Sequence, residues 1–273
     1  MKTLLLYHDD CLRHRPHGRH PERPGRLSAV LDAVQGLDRT ECLPAPKATL
    51  EQIERVHCTD WWQGLLELEP SDEADSGPLA LDADTYLSRG SIDATLRGSG
   101  AACFAVEEVI AGRARNAFCV TRPPGHHAER AVAMGFCLLN HVAVAACHAR
   151  AEHGIRRIAI LDFDVHHGNG TQAIFGDDAD TLFVSSHQMP LYPGTGHPEE
   201  RGCGNVFNLP LPPGAGGAEF RKVWQEQGLR ELQRFEPELI FISAGFDGHV
   251  LDPLAQLQLE DADYAWITAE IRR

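Results

Sequence analysis

Residues 158–170 read IAILDFDVHHGNG, an apolar run that ends in carboxylates and imidazoles two positions apart. Alternate side chains of an extended strand share a face, so this spacing sets Asp162, Asp164 and His166 on one side and Phe163 and Val165 on the other. An aspartate oxygen and a neutral imidazole nitrogen from one short segment suit Zn²⁺ or a similar divalent cation, which needs a further ligand from elsewhere. Alone, the motif is better matched by an aspartate capping a turn beside solvated histidines, since short motifs recur by chance. Two other segments weigh against that reading. Residues 122–128, RPPGHHA, follow the apolar run 117–121. Two prolines and a glycine make a rigid turn at a strand end, presenting His126 and His127, and adjacent imidazoles suit proton transfer near neutrality. Residues 238–249, ELIFISAGFDGH, pass from a buried-strand pattern through a glycine into Asp247, a candidate third ligand. Three strands whose carboxyl ends carry His or Asp are what an open parallel sheet uses to build a site in its crevice.

These segments, together with GFCLLNHVAVAA, YPGTG and the stretches HPERPGRL at 20–27 and DADTY at 82–86, span nearly the whole chain. Taken in order, they resemble the histone deacetylase family, which includes bacterial acetylpolyamine amidohydrolases and acetoin-utilisation proteins. The Asn-Gly after the second histidine and the Phe-Asp-Gly-His segment look like the class II and bacterial branches. The fold implied is the arginase-deacetylase one, α/β with three layers and a mostly parallel sheet, as a single domain over residues 1–273.

The resemblance implies one Zn²⁺ per chain held by Asp164, His166 and Asp247. His127 would take a proton from the attacking water and return it to the leaving amine, with His126 as electrostatic partner or second proton carrier. Asp162 would sit behind the ligands, accept a hydrogen bond from His126 and, near Ser185, help to hold K⁺. Asn169 stands where some relatives carry an aspartate behind the base, and an amide supports a neutral imidazole better than an imidazolium. Phe136 and Tyr192 would wall a channel for a lysine stem, and the Gly135 carbonyl would receive the scissile amide N–H. Asp84 would lie at the rim, and Arg23 beneath the pocket near an acetate exit. Leu254 occupies the place of an acidic gatekeeper in polyamine-selective relatives, and leucine offers only apolar contact. An acyl-lysine peptide or protein is thereby favoured over a small cationic acetylated amine.

Relatives continue to a Gly-Gly-Tyr segment whose hydroxyl stabilises the oxyanion, whereas the tyrosines here are Tyr7, Tyr86, Tyr192 and Tyr264 and the last residue is Arg273. The expectation is a domain truncated relative to the family, with amide hydrolysis impaired by roughly a hundred- to a thousand-fold. A sheet edge left bare by such a truncation would be met by a homo-oligomer or by lowered stability. Three alternatives stand beside the lysine deacylase: an acetylpolyamine deacetylase, an arginase-like ureohydrolase with two manganese ions, and a non-catalytic acyl-lysine binder. The ureohydrolase wants Asp-x-Asp where this chain has Asp247, Gly248 and His249.

The elements that must position these residues follow from periodicity. Strands are predicted at 3–7, 117–121, 157–163, 181–185 and 238–243, and helices at 26–35, 50–56, 91–111, 137–153, 217–235 and 259–271. Alternating strands and helices call for a parallel sheet covered on both faces. A net charge of −14 argues against a general nucleic-acid binder, and it suits cationic substrates as well as it suits plain solubility. Eight cysteines without a Cys-x-x-Cys pair read as reduced thiols. With neither a signal peptide nor an apolar run of about 20 residues, a cytoplasmic protein without a membrane partner is expected.

Overall fold

The run Leu4, Leu5 and Leu6 is buried along the first strand, β1 (Thr3–Tyr7), a continuous apolar run of the kind found in a parallel strand covered on both faces. The computed structural model describes residues 2–34, 36–70 and 77–273, and the chain divides into two units, Met1–His153 and Gly154–Arg273.

In the first unit β1 lies between β2 (Thr40–Pro44) and β5 (Asn116–Cys119), with Leu6 opposite both Leu43 and Cys119. Around this sheet come α1 (Pro24–Val34), α2 (Leu50–Glu54), α3 (Thr59–Leu68), α4 (Ser91–Ile110) and α5 (His141–His153). A short antiparallel ribbon joins β3 (Leu79–Ala80) to β4 (Tyr86–Leu87). The small residues of α4 permit close approach. A Cβ on Gly98 would lie 2.6 Å from His141 of α5, and one on Gly100 would strike the backbone of residues 46–48.

In the second unit four parallel strands run in the order β8 (Val206–Leu211), β7 (Thr181–Gln188), β6 (Ile158–Asp162) and β9 (Leu239–Ser243). Asp162 is opposite Ser185 on one side and Ser243 on the other. The helices are α6 (Asn169–Phe175), α7 (Gly217–Val223), α8 (Leu229–Phe235) and α9 (Asp261–Ile271), with a π turn over Trp224–Gly228 joining α7 to α8. The π turn seats the buried Trp224, whose Nε1–H donates to Ser186 Oγ at 3.0 Å.

The observed architecture is the mixed α/β arrangement with parallel sheets that the strand and helix pattern called for. Its details depart from the predicted elements. The strand at 157–163 ends at Asp162, so Asp164 and His166 lie on the following loop and not on a strand face. Beyond Asp162 the backbone amides turn to carboxylates: Asp164 N–H donates to Asp162 Oδ1, Val165 N–H to Asp247 Oδ1 and His166 N–H to Asp164 Oδ1. The helix at 137–153 begins only at His141, and that at 259–271 at Asp261. Of the helix predicted at 26–35, Gln35 lies outside the described residues. β2, β8, α3 and α6 were not predicted. Pro210 breaks the strand signature of β8, and α6 is too short to show a helical period.

Candidate active site

Because β6 and β9 are parallel neighbours in register, their chains leave the sheet at the same end. Asp164, His166 and Asp247 meet there, with one ligand atom from each lying within 4.8 Å of the others. His166 Nδ1 is 3.1 Å from Asp164 Oδ1 and 3.0 Å from Asp247 Oδ2. Gly245 is required by this convergence, since a Cβ there would collide with the Asp164 carboxylate. Burial would lower the His166 pKa, but the hydrogen bonds to Asp164 and then Asp247 raise it to about 10. The Asp247 carboxyl is held above the usual carboxylate range by burial and then by Asp164. Two carboxylates closing on one imidazole nitrogen create a strongly cation-seeking spot. Oxygen, nitrogen and oxygen donors from two loops are a chemically fitting set for a divalent metal such as zinc.

The loop after β7 carries Tyr192, which is 39 % exposed, with its ring centroid 6.3 Å from that of His166. His167 Nδ1 is 2.8 Å from Thr195 Oγ1, and Glu200 accepts from the amides of Gly196 and His197. These contacts shape the turn next to Tyr192. Asn169 is buried at the start of α6. Asp162 and Ser185 are fully buried on adjacent strands, and Ser185 Oγ is 3.0 Å from His187 Nδ1. Leu254 is half-buried, its amide donating to Asp252 Oδ1. His249 turns to Asp261, with Nε2 3.4 Å from Oδ1, and is not one of the clustered ligands.

In the first unit His126 and His127 are both buried, with ring centroids 4.0 Å apart and tilted by 48°. Their turn is pinned at several points. His141 Nε2 donates to the Pro123 carbonyl at 3.0 Å while Nδ1 accepts from Ser99 Oγ at 2.8 Å. Asn140 Nδ2 donates to the Ala128 carbonyl, and the Asn140 amide donates to His57 Nε2. Burial lowers the pKa of both His57 and His141 to about 4, so each is a neutral strut at physiological pH. Gly135 has φ +56°, and a Cβ there would run into the His127 ring. Phe136 follows with φ +69°, unusual for a non-glycine residue, and its amide donates to Thr85 Oγ1 at 3.0 Å. Asp84 is half-buried beside Thr85, its carboxyl raised by burial and by Asp82.

Arg23 is exposed, not beneath a pocket, because Glu22 takes the inward position at that point of the chain. The buried guanidinium is that of Arg122, which donates to both oxygens of Glu22 and to the carbonyls of Cys11 and His14. His14 Nε2 lies 3.4 Å from Glu22 Oε2. This network was missed in the sequence, although both charges stand in quoted motifs, HPERPGRL and RPPGHHA. His20 was also passed over as a site residue. Its Nε2 donates to the Asp84 carbonyl and its ring meets Phe136 edge-on at 4.7 Å.

A parallel α/β fold with a metal-fitting ligand set at its strand ends defines an enzyme-like scaffold. The histone deacetylase domain matches residues 20–273. The chain belongs to this family of histone deacetylase-like deacetylases and amidohydrolases. It is 40 % identical over 274 residues to a probable deacetylase of Archaeoglobus fulgidus, covering 97 % of this chain and 74 % of that protein. It is also 40 % identical over 263 residues to the histone deacetylase-like amidohydrolase of Pseudomonas aeruginosa, covering 94 % and 67 %. Among solved structures, the HD domain of HDA15 superposes with a TM-score of 0.91 at 33 % identity, covering 99 % of this chain and 80 % of that one.

Proposed function

We propose that residues 1–273 work as one zinc-dependent deacylase domain that hydrolyses the amide of acylated lysine side chains. The observation that carries this is the convergence of Asp164, His166 and Asp247 at the ends of β6 and β9 in a chain of the histone deacetylase family. A single Zn²⁺ bound by these residues would supply Lewis-acid activation of water and of the acyl carbonyl. His127 takes the proton of the attacking water and delivers it to the leaving amine, and His126 tunes it electrostatically. The Gly135 carbonyl accepts the scissile N–H, Phe136 and Tyr192 grip the methylene stem, and Asp84 meets the substrate backbone at the rim. Asp162 and Ser185 hold K⁺ behind the metal ligands, and Asn169 supports the neutral base. The apolar Leu254 favours acyl-lysine over acetylpolyamine. His249 facing Asp261 speaks for a single-metal centre over a two-manganese one. The chain would work in the cytoplasm on lysine-bearing peptides or proteins, with neither nucleic acid nor membrane as partner.

The test is an assay against trifluoroacetyl-lysine peptide, acetyl-lysine peptide and acetylspermidine, with and without a chelator, in the wild type and His127→Ala. The trifluoroacetyl amide, whose carbonyl is the most electron-poor of the three, should turn over fastest. Chelator and His127→Ala should each abolish turnover. Equal rates on acetylspermidine would overturn the lysine preference, and chelator-resistant turnover would overturn the metal mechanism.

A further inference from the structure

His141, the first residue of α5, lies against Gly98 of α4, and further toward the carboxyl end of each helix Glu107 faces His148 and His153, so the two helices run parallel. Their carboxyl ends come together, and with them the negative ends of two helix dipoles. His148 Nε2 is 2.7 Å and His153 Nε2 2.8 Å from one and the same atom, Glu107 Oε1. The three potential ligand atoms lie within 4.8 Å of one another. The His148 side chain is 7 % exposed, that of His153 22 % and that of Glu107 37 %, so the group opens to solvent through the carboxylate.

We propose that Glu107, His148 and His153 form a second metal site, separate from the one at Asp164, for a borderline-soft divalent transition ion such as Zn²⁺, Co²⁺ or Ni²⁺. Two imidazoles and a carboxylate are ligands such ions favour, and the nitrogen donors disfavour Mg²⁺ and Ca²⁺. Ligands about 2.0–2.2 Å from a tetrahedral ion stand roughly 3.3 Å apart, so the donors must open by about half an ångström. A rotation of the partly exposed Glu107 side chain accomplishes that, and the outward position remains for water. Bound there, the ion would clip α4 to α5.

Arg55 is the competitor. Its Nη1 donates to His148 Nδ1 at 3.0 Å, while Nη2 is paired with Glu51 and Glu152. A guanidinium only donates, so His148 Nδ1 is the bare nitrogen in the metal-free protein and Nε2 carries the proton that Glu107 accepts. Binding at Nε2 shifts that proton to Nδ1 and breaks the Arg55 contact, while the ion pairs to Glu51 and Glu152 persist. Replacing Arg55 should therefore tighten the site, which a merely hydrogen-bonded triad does not predict.

The experiment is a Co²⁺ titration of the full chain, read by calorimetry and by visible absorption. The wild type should show a saturable equivalent that is lost in His148→Gln/His153→Gln, while deacylase turnover and any binding at Asp164, His166 and Asp247 persist. Arg55→Gln should lower the dissociation constant of this equivalent several-fold. The readout is a difference between two proteins with the same Asp164 site, so it is independent of the deacylase reading. Should the double variant unfold by circular dichroism, Glu107→Gln, with a change at the most exposed ligand, decides the matter by the same loss. Identical stoichiometry in wild type and variants, or no effect of Arg55→Gln on affinity, overturns the proposal.

Discussion

Gly135 is constrained twice over, by a left-handed φ of +56° and by the His127 ring standing where a Cβ would go. Gly135→Ala should therefore displace the imidazole more than it unfolds the chain. With His127 as the proposed base, a misplacement of about 1 Å can cost on the order of a hundred-fold in turnover. The expected result is a comparable fall in kcat with a smaller change in KM, and an unchanged kcat would refute the positioning role. Asp247 works at the same scale in the second unit. Its Oδ1 accepts the Val165 amide while Oδ2 faces His166. Asp247→Asn keeps the volume but removes the negative charge of a proposed ligand. Zinc content, measured by elemental analysis after dialysis, should fall well below that of the wild type, and full retention would exclude Asp247 as a ligand.

At the scale of elements, the turn carrying His126 and His127 depends on buried charge as well as on helix packing. Burial opposes ionisation of Glu22, but His14 and Arg122 outweigh it and bring the carboxyl down to about 2 from 4.5. A shift of that size corresponds to on the order of 3 kcal/mol of stability. A depressed carboxylate pKa stabilises in full above the unfolded value near 4.5, and its contribution disappears as pH falls toward 2. His57 and His141 act earlier in an acid titration. Their pKa values are lowered from 6.5 to about 4, so folding loses ground as pH falls across that interval and the unfolded chain takes up their protons. Denaturant titrations from pH 7 downward should show stability declining first between about 6.5 and 4, with Glu22 adding its loss below that. Glu22→Gln leaves Arg122 buried without a counter-charge and should cost about 3–5 kcal/mol at pH 7, measured by urea unfolding. A loss under about 1 kcal/mol would mean that water or another group satisfies the guanidinium.

The whole molecule carries a net charge of −14, and charge of that sign draws cationic substrates toward it. An acyl-lysine peptide flanked by arginines should lose kcat/KM as salt rises from about 0.01 to 0.15 M, over which the Debye length shrinks from about 30 to 8 Å. A peptide flanked by glutamates should lose none, and equal salt dependence for both would remove the steering argument. No helix among the described residues is long and apolar enough to cross a membrane, and all eight cysteines are free.

Much of this was legible in the sequence, because the chemistry sits in short contiguous motifs. Asp164 and His166 are two residues apart, His126 and His127 are adjacent, and the strand signatures before them fall where β5, β6 and β9 lie to within about two residues. What local pattern cannot encode is which distant side chains share a volume. The sequence shows two arginines, Arg23 and Arg122, each within a motif, and only packing decides that Arg122 is buried on Glu22, 100 positions away, while Arg23 faces water. Nor does any periodicity link Glu107 to His148 and His153, since their meeting depends on α4 and α5 packing in parallel through Gly98. Residue identity thus set which groups could bind a metal or move a proton. Backbone topology, by bringing strand ends and helix ends together, decided which of them meet.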